Sequence, residues 1–235
     1  MSRLRIAEVF SSIQGEGMWL GVPSTFVRVS GCNLRCVWCD TPYASWSPEG
    51  PVLSVEEIVA EVTRCTNQHV VITGGEPLLF DAAGVLAAAL HDRGHRVTFE
   101  TAGTVFRDWP CDLMSISPKL ANSDPVGRLD EERLSHHRRT RGNWAPLREL
   151  VEAHRNVQLK FVVNPESMEG DLNEIEAILA SLPTVEPDRV FLMPEGVDAT
   201  DLRQRGRQLV PVCMERGWRL APRYHIDLFG DTRGT

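Results

Sequence analysis

The chain has 235 residues, 42% of them hydrophobic, with a net charge of −7 and a pI near 5.5. That length suits one α/β barrel-like domain or two small ones, and the acidic balance argues against a general nucleic-acid or membrane-surface binder, since either needs a basic patch. No apolar run approaches the roughly 18 residues of a spanning helix, and the start, Met1 to Glu8, lacks the apolar stretch of a signal peptide.

In chain order, residues 5–17 read as a strand running into a turn where Gly15 and Gly17 flank Glu16, so backbone there can approach a ligand closely. Residues 25–30 alternate with the period of a strand, which puts Arg28 on the face opposite Val27 and Val29. Cys32, Cys36 and Cys39 follow on a loop, then a Pro- and Trp-containing connection over 42–53. Ser54-Val-Glu-Glu57 is a capping box that opens a helix to about residue 65. The run 69–73 predicts a buried strand ending in Gly74-Gly75-Glu76-Pro77, and a helix over about 81–93 stops at Gly94. Strands are predicted over 96–100, ending in Glu100-Thr101-Ala102-Gly103, and over 112–116, ending in Ser117-Pro118-Lys119. Residues 121–142 are polar and read as a loop with one short helix, the basic run 138–141 being a solvated face. Helices over about 144–155, 171–182 and 200–216 then alternate with strands over 157–163, 189–193 and 218–221. The tail from Pro222 to Thr235 is rich in Gly and charge and holds His225.

Alternating strands and helices imply βαβ units and a parallel sheet. The cysteine loop, Gly74–Pro77, Glu100–Gly103, Ser117–Lys119 and Met193-Pro194-Glu195 all fall just after a predicted strand. In a parallel barrel those positions share the C-terminal rim, where active sites are built. Three thiolates at C-x3-C-x2-C spacing can converge on one metal centre, zinc or an iron–sulfur cluster. A lone zinc wants a fourth protein ligand, and no Cys or His follows within the next twenty residues. A four-iron four-sulfur (4Fe-4S) cluster on three thiolates keeps one iron open for a substrate or cofactor. Cys65, Cys111 and Cys213 are scattered and read as small buried hydrophobes, and crowding of the other three in a chain read as cytoplasmic argues against disulfides.

C-x3-C-x-aromatic-C, with Trp38 as the aromatic, followed by Gly74-Gly75-Glu76-Pro77 after a strand, resembles the radical S-adenosylmethionine (SAM) superfamily. The resemblance implies an α/β fold, a partial, open βα barrel with mostly parallel strands, as a single domain over 1–235. It implies a 4Fe-4S cluster on Cys32, Cys36 and Cys39, with SAM on the open iron. An electron from the cluster then splits SAM into methionine and a 5′-deoxyadenosyl radical, so no protein side chain need be the catalytic group. It further implies SAM contacts at Trp38, Gly74, Gly75, Glu76, Glu100, Thr101, Ser117 and Lys119.

Within that superfamily, Ser11 to Gly17, Arg28, Gly31-Cys32-Asn33-Leu34, Asp40-Thr41 and the ending Pro222-Arg223-Tyr224-His225 resemble the 7-carboxy-7-deazaguanine synthase family. That family converts 6-carboxy-5,6,7,8-tetrahydropterin to 7-carboxy-7-deazaguanine, with loss of ammonia, on the route to queuosine and related deazapurines. The resemblance implies substrate contacts from Gln14, Gly15, Glu16, Arg28, Thr73 and His225, with the N-terminal hairpin (about 1–22) and the tail (about 222–235) contributing to the substrate site. It also implies Mg²⁺ at Thr41, a homodimer, an electron donor such as flavodoxin or ferredoxin, and a cytoplasmic enzyme without nucleic-acid or membrane partners. A Glu16 carboxylate can accept paired hydrogen bonds from an aminopyrimidinone edge, and Arg28 can clamp a substrate carboxylate in bidentate fashion. Two stretches depart from the family pattern: residues 121–142, and the extension after His225. The competing readings are a glycyl-radical activase, which shares only the cysteine loop, and a zinc module adding Cys65 or His69 to the three cysteines.

Overall fold

The computed structural model describes residues 2–235. Strand β1 (Arg3–Ile13) and strand β2 (Pro23–Val29) form an antiparallel hairpin with Ile13 opposite Pro23, and helix α1 (Pro42–Ser45) leads to a short edge strand β3 (Val52–Ser54) on the outer side of β1. Six strands follow, most of them preceded by a helix: α2 (Val55–Arg64) and β4 (His69–Gly74), α3 (Asp81–His91) and β5 (Arg96–Thr101), then β6 (Leu113–Ile116), α4 (Glu131–Arg141), α5 (Ala145–Ala153) and β7 (Val157–Val163), α6 (Met168–Ser181) and β8 (Val190–Pro194), α7 (Ala199–Arg216) and β9 (Arg219–Leu220). Helix α8 (Tyr224–Phe229) ends the ordered elements. The nine strands form one sheet in the order β3-β1-β2-β4-β5-β6-β7-β8-β9, parallel from β2 to β9. The sheet does not close on itself, so the architecture is the open α/β barrel expected.

Two faces of each strand do different work. Val27 and Val29, Val70 and Ile72, Val97 and Phe99, Leu159 and Phe161, Val190 and Leu192 point outward into one core under the helices. The alternate positions point into the barrel, and among them the polar Arg28, Thr73, Glu100, Ser115 and Lys160 line its cavity beside the apolar Phe26, Val162 and Met193. This is the period of two expected of a strand, and it turns an apolar run into a polar-lined cleft. The capping box opening α2 is present, with Glu57 N–H on Ser54 Oγ (3.2 Å) and Ser54 N–H on Glu57 Oε2 (2.7 Å).

Where the local signal was weak, boundaries differ. Residues 42–53 contain α1 and lead into β3, and the polar stretch 121–142 carries an eleven-residue helix, α4, capped by Asp130. Acidic residues in its first turn and arginines in its last complement the helix dipole. The tail is helical over Tyr224–Phe229. Among the described residues no helix is long and apolar enough to cross a membrane.

The narrow base of the barrel holds a buried histidine. His69 is 4% exposed, with Nδ1 at 2.6 Å from Ser24 Oγ and Nε2 at 2.8 Å from Thr98 Oγ1. Burial pushes its pKa down to about 4. The unfolded chain therefore binds the proton more readily, and the stability from a neutral His69 is complete above about pH 6.5 and lost as pH falls from there toward 4. His69→Gln is expected to flatten the stability–pH slope across that window by up to about 1.4 kcal/mol per pH unit. Urea titrations of both proteins at about pH 7.5 and about pH 5 measure it; identical slopes would mean that His69 is not the titrating group.

Candidate active site

The cavity inside the barrel measures about 800 Å³ and is bounded by the cysteine loop, the hairpin turn after β1, the inner faces of β2 to β8 and the C-terminal segment. The hairpin turn lies across the open side of the barrel. Met18 N–H donates to Gln158 Oε1 on β7 (2.8 Å), and the Gly15 carbonyl accepts from Tyr224 N–H (2.9 Å). A Cβ on Gly15 would sit 2.1 Å from the His225 ring, so glycine is what lets α8 close on the turn.

Gln14, Glu16, Arg28, Thr73 and His225 meet in this cavity from four separate segments: the hairpin turn, β2, β4 and α8. Glu16 is the centre of an alternating charge chain. Lys160 Nζ donates to Glu16 Oε2 at 2.9 Å and reaches Glu100 Oε1 at 3.5 Å, and Arg223 Nε donates to Glu16 Oε1 at 3.2 Å. Arg223 also bonds Asp40 and the Gly196 carbonyl (2.7 Å). Burial raises the Glu16 pKa, but the Lys160 and Arg223 cations outweigh it and hold the carboxyl well below the usual range. Gln14 Nε2 and Thr73 Oγ1 donate to Glu100 at 3.2 and 2.9 Å. Burial lowers the His225 pKa, which favours the neutral ring. Arg28 Nε donates to Glu8 Oε1 at 2.6 Å, while its terminal nitrogens form no hydrogen bond among the described residues. Tyr43 O–H donates to the same Glu8 oxygen (2.8 Å). The tail comes back to this point: Arg233 Nε donates to Glu8 Oε2 (3.2 Å), and its guanidinium lies 4.1 Å from the Tyr43 ring centroid.

The residues expected at SAM share this cavity, with Glu100 common to both groups. Trp38, Gly74, Gly75, Glu100, Thr101, Ser117 and Lys119 line the cavity. Lys119 Nζ donates to Ser117 Oγ (2.8 Å) and sits 5.3 Å from the Trp38 ring centroid, a cation–π contact. Gly74 and Gly75 have a second duty. Gly75 N–H donates to the Val29 carbonyl (2.9 Å), Glu76 N–H to Gly31 (2.8 Å), and a Cβ on Gly75 would meet Gly31 O at 2.2 Å. The glycine pair thus packs backbone to backbone beneath the cysteine loop. Glu76 is 0% exposed and lies outside the cavity lining. Its carboxyl accepts from Thr101 Oγ1 (2.7 Å), Ala102 N–H (2.8 Å) and Leu78 N–H (3.0 Å), tying the loops after β4 and β5 together.

The donor set of the cysteine loop fits a cluster. Burial, helped by repulsion from the neighbouring cysteines of the loop, pushes Cys32 up to about 12 and Cys36 up to about 11. Thiols that repel one another as anions become favourable together once they bind a cationic metal centre. Cys39 Sγ lies 3.1 Å from Ser45 Oγ and 3.8 Å from Thr41 Oγ1, and both Cys39 and Thr41 line the cavity. His69 is engaged at the opposite end of β4, and the Cys65 thiol faces the Glu61 carbonyl (3.8 Å), so neither supplies the fourth ligand that a zinc module needs. Among the described residues no set of three His, Cys, Asp or Glu side chains forms a ready cage for a single ion.

Lys160 and Arg223 were not singled out from the sequence for this role. The signal for Lys160 was present, since Gln158 and Lys160 occupy alternate positions of an otherwise apolar strand.

The Radical SAM superfamily profile matches residues 26–182. A 7-carboxy-7-deazaguanine synthase of Halobacterium salinarum is 44% identical over 99% of this chain and 93% of its own length. One from Rhodopirellula baltica is 41% identical over 100% and 90%. The crystal structure of QueE from Escherichia coli superposes with a TM-score of 0.66 at 26% identity, covering 93% of each chain.

Proposed function

The chain belongs to the radical SAM superfamily and, within it, to the 7-carboxy-7-deazaguanine synthases, and from that membership we propose how its own residues divide the work. The reaction is the ring contraction of 6-carboxy-5,6,7,8-tetrahydropterin to 7-carboxy-7-deazaguanine with loss of ammonia. The superfamily's 4Fe-4S cluster and SAM supply the radical that begins it by removing a hydrogen from the pterin. The observation that carries the division is that one cavity is lined both by Cys39 of the cysteine loop and by an ionised Glu16.

Cys32, Cys36 and Cys39 hold the cluster. Trp38 and Lys119 with Ser117 bound the space for SAM on one side, with Gly74, Gly75, Glu100 and Thr101 along the strand ends. Glu76 acts on that space from behind, through the Thr101 and Ala102 bonds. Glu16 accepts the N–H groups of the aminopyrimidinone edge, and Lys160 and Arg223 keep it anionic and aimed. Arg28, tethered to Glu8 through Nε, leaves its paired terminal nitrogens for the substrate carboxylate, the geometry that suits bidentate recognition. Gln14, Thr73 and His225 bond the ring polar atoms, and Gly15 gives them room.

Thr41 is assigned to Mg²⁺. Its hydroxyl faces the cavity beside Cys39, and Mg²⁺ is commonly held by few protein ligands with water and substrate oxygens completing the octahedron. The enzyme is further read as a cytoplasmic homodimer reduced by a small carrier such as flavodoxin or ferredoxin.

The test is anaerobic turnover of the carboxytetrahydropterin with SAM and a reductant, read by mass spectrometry against Mg²⁺ concentration. The parent is expected to form the deazaguanine product and to be stimulated by Mg²⁺. Thr41→Ala is expected to retain cluster and SAM binding, turn over more slowly and lose most of the stimulation, while Thr41→Ser keeps much of it. Metal and substrate should bind with reciprocal positive coupling. An unchanged Mg²⁺ response in Thr41→Ala would move the ligand elsewhere, with Asp40 the next candidate, and no product from the parent would overturn the activity itself.

A further inference from the structure

The polar stretch 121–142, outside the motifs that carry the family resemblance, is built against the cysteine loop. Arg35 N–H donates to His137 Nδ1 of α4 at 3.0 Å, and Val37 N–H donates to the Ser123 carbonyl at 2.9 Å. These are the amides of the two residues that flank Cys36 in the chain. Trp38 Nε1 donates to the Asn122 carbonyl (3.1 Å), and Arg128 Nη1 donates to the Val37 carbonyl (3.0 Å).

His137 is 1% exposed, and because Nδ1 accepts, its proton sits on Nε2, which faces Ser123 Oγ at 3.2 Å and Asp124 Oδ1 at 3.7 Å. Asp124 is in turn fixed by Arg138 Nε (2.6 Å) and Arg141 Nε (2.7 Å), and Arg141 Nη1 reaches Glu174 Oε1 on α6 (2.7 Å). The ring therefore sits between a rigid ionic layer and one backbone amide of the loop, with no contact to the cavity.

We propose that His137 is a positioning residue for the cysteine loop: its Nδ1 holds the Arg35 peptide so that Cys36 is presented to the cluster in one fixed orientation. This rests on the cluster-binding reading of the loop. The physical reason is preorganisation. A site whose ligands are held near their bound geometry loses less freedom on loading and loads into fewer arrangements. A short loop carrying three ligands has few main-chain groups to anchor, and three of them, Arg35 N–H, Val37 N–H and the Val37 carbonyl, are bonded by this segment.

Substitutions at this position separate the acceptor from mere bulk. His137→Asn keeps an acceptor at the Nδ1 position, whereas His137→Gln places its amide at the Nε2 position and removes the acceptor. Leu134→Ala, a buried residue of the same helix, controls for general loosening. The first measurement is backbone hydrogen exchange of residues 33–37 in cluster-free protein, which does not depend on the cluster reading. The Arg35 amide is expected to be protected in the parent and in Asn, and to exchange roughly tenfold faster or more in Gln, with little change in Leu134→Ala. The second is anaerobic reconstitution. Gln is expected to bind about half the iron of the parent or less and to give a heterogeneous reduced-cluster EPR spectrum, while Asn matches the parent.

An Arg35 amide that exchanges freely in the parent overturns the proposal whether or not the variants fold. So does equal acceleration in Leu134→Ala and Gln, or parent-like iron content and EPR in a Gln variant whose amide is released. Absence of a cluster in the parent itself would overturn the cluster reading instead, leaving the exchange result to stand separately.

Discussion

Single replacement of Cys32, Cys36 or Cys39 by Ala is expected to abolish the iron–sulfur absorbance and with it all detectable turnover. In the proposed cluster each of the three thiolates would be a ligand, and the loop offers no substitute. The neighbouring side chains of the right kind are already committed elsewhere: Cys65 to the Glu61 carbonyl, and Cys111 to His154 at 3.6 Å, while Cys213 is packed in the core under the helices. Cys65→Ala, Cys111→Ala and Cys213→Ala are therefore expected to keep a full cluster. Absorbance, iron content and turnover after anaerobic reconstitution of the six variants check this, and a full cluster in any of the first three would remove that cysteine from the ligand set.

Glu16→Gln should carry the second large effect, at the charged cluster of the same cavity. The amide keeps the shape but supplies one neutral acceptor where a carboxylate supplied two charged ones. Hydrogen bonds to a charged group are worth about 1.5–3 kcal/mol, so pterin affinity is expected to fall roughly 10- to 150-fold. SAM affinity should hardly change, because Glu100 still pairs with Lys160 (3.5 Å) and keeps the SAM side of the cavity in place. Lys160→Met differs in kind. It leaves Glu16 with Arg223 alone and Glu100 with no cation, and breaking a buried ion pair from one side costs about 3–5 kcal/mol of stability. Anaerobic calorimetry of both ligands and denaturant titration separate the outcomes. Equal loss of pterin and SAM binding in Glu16→Gln would make Glu16 a structural residue, and an undiminished stability in Lys160→Met would mean that the pair contributes little to the fold.

The cysteine loop and the charged cluster differ in how far they can be read from sequence. The cysteine spacing and the Gly-Gly-Glu-Pro turn are local patterns, and their chemistry lies within a few residues. Arg28 is nearly as legible, because alternation between Val27 and Val29 already puts it on the other face of β2. Lys160 is a single lysine in an apolar strand, and its meaning depends on Glu16, 144 residues away in the chain. Helix α4 has no apolar stripe to announce its packing, since only Leu134 and His137 of its eleven residues are buried, and His137 meets a loop 102 residues earlier. Glu76 stands at its motif position, yet its carboxyl is taken up by Thr101 and Ala102 behind the cavity wall.

Periodicity and caps thus carried the alternating strands and helices of a parallel sheet and the rim on which the site is built, because each is set by interactions among residues close in the chain, while the open barrel and the role of the cysteine loop came from the resemblance its motifs carry. The partners of the buried charges, the platform under the cysteine loop and the return of Arg233 to Glu8 were decided only on folding. Each joins groups far apart in sequence, and a charge buried in a cleft takes whichever counter-charge the strand order brings within hydrogen-bonding reach, which no local pattern encodes.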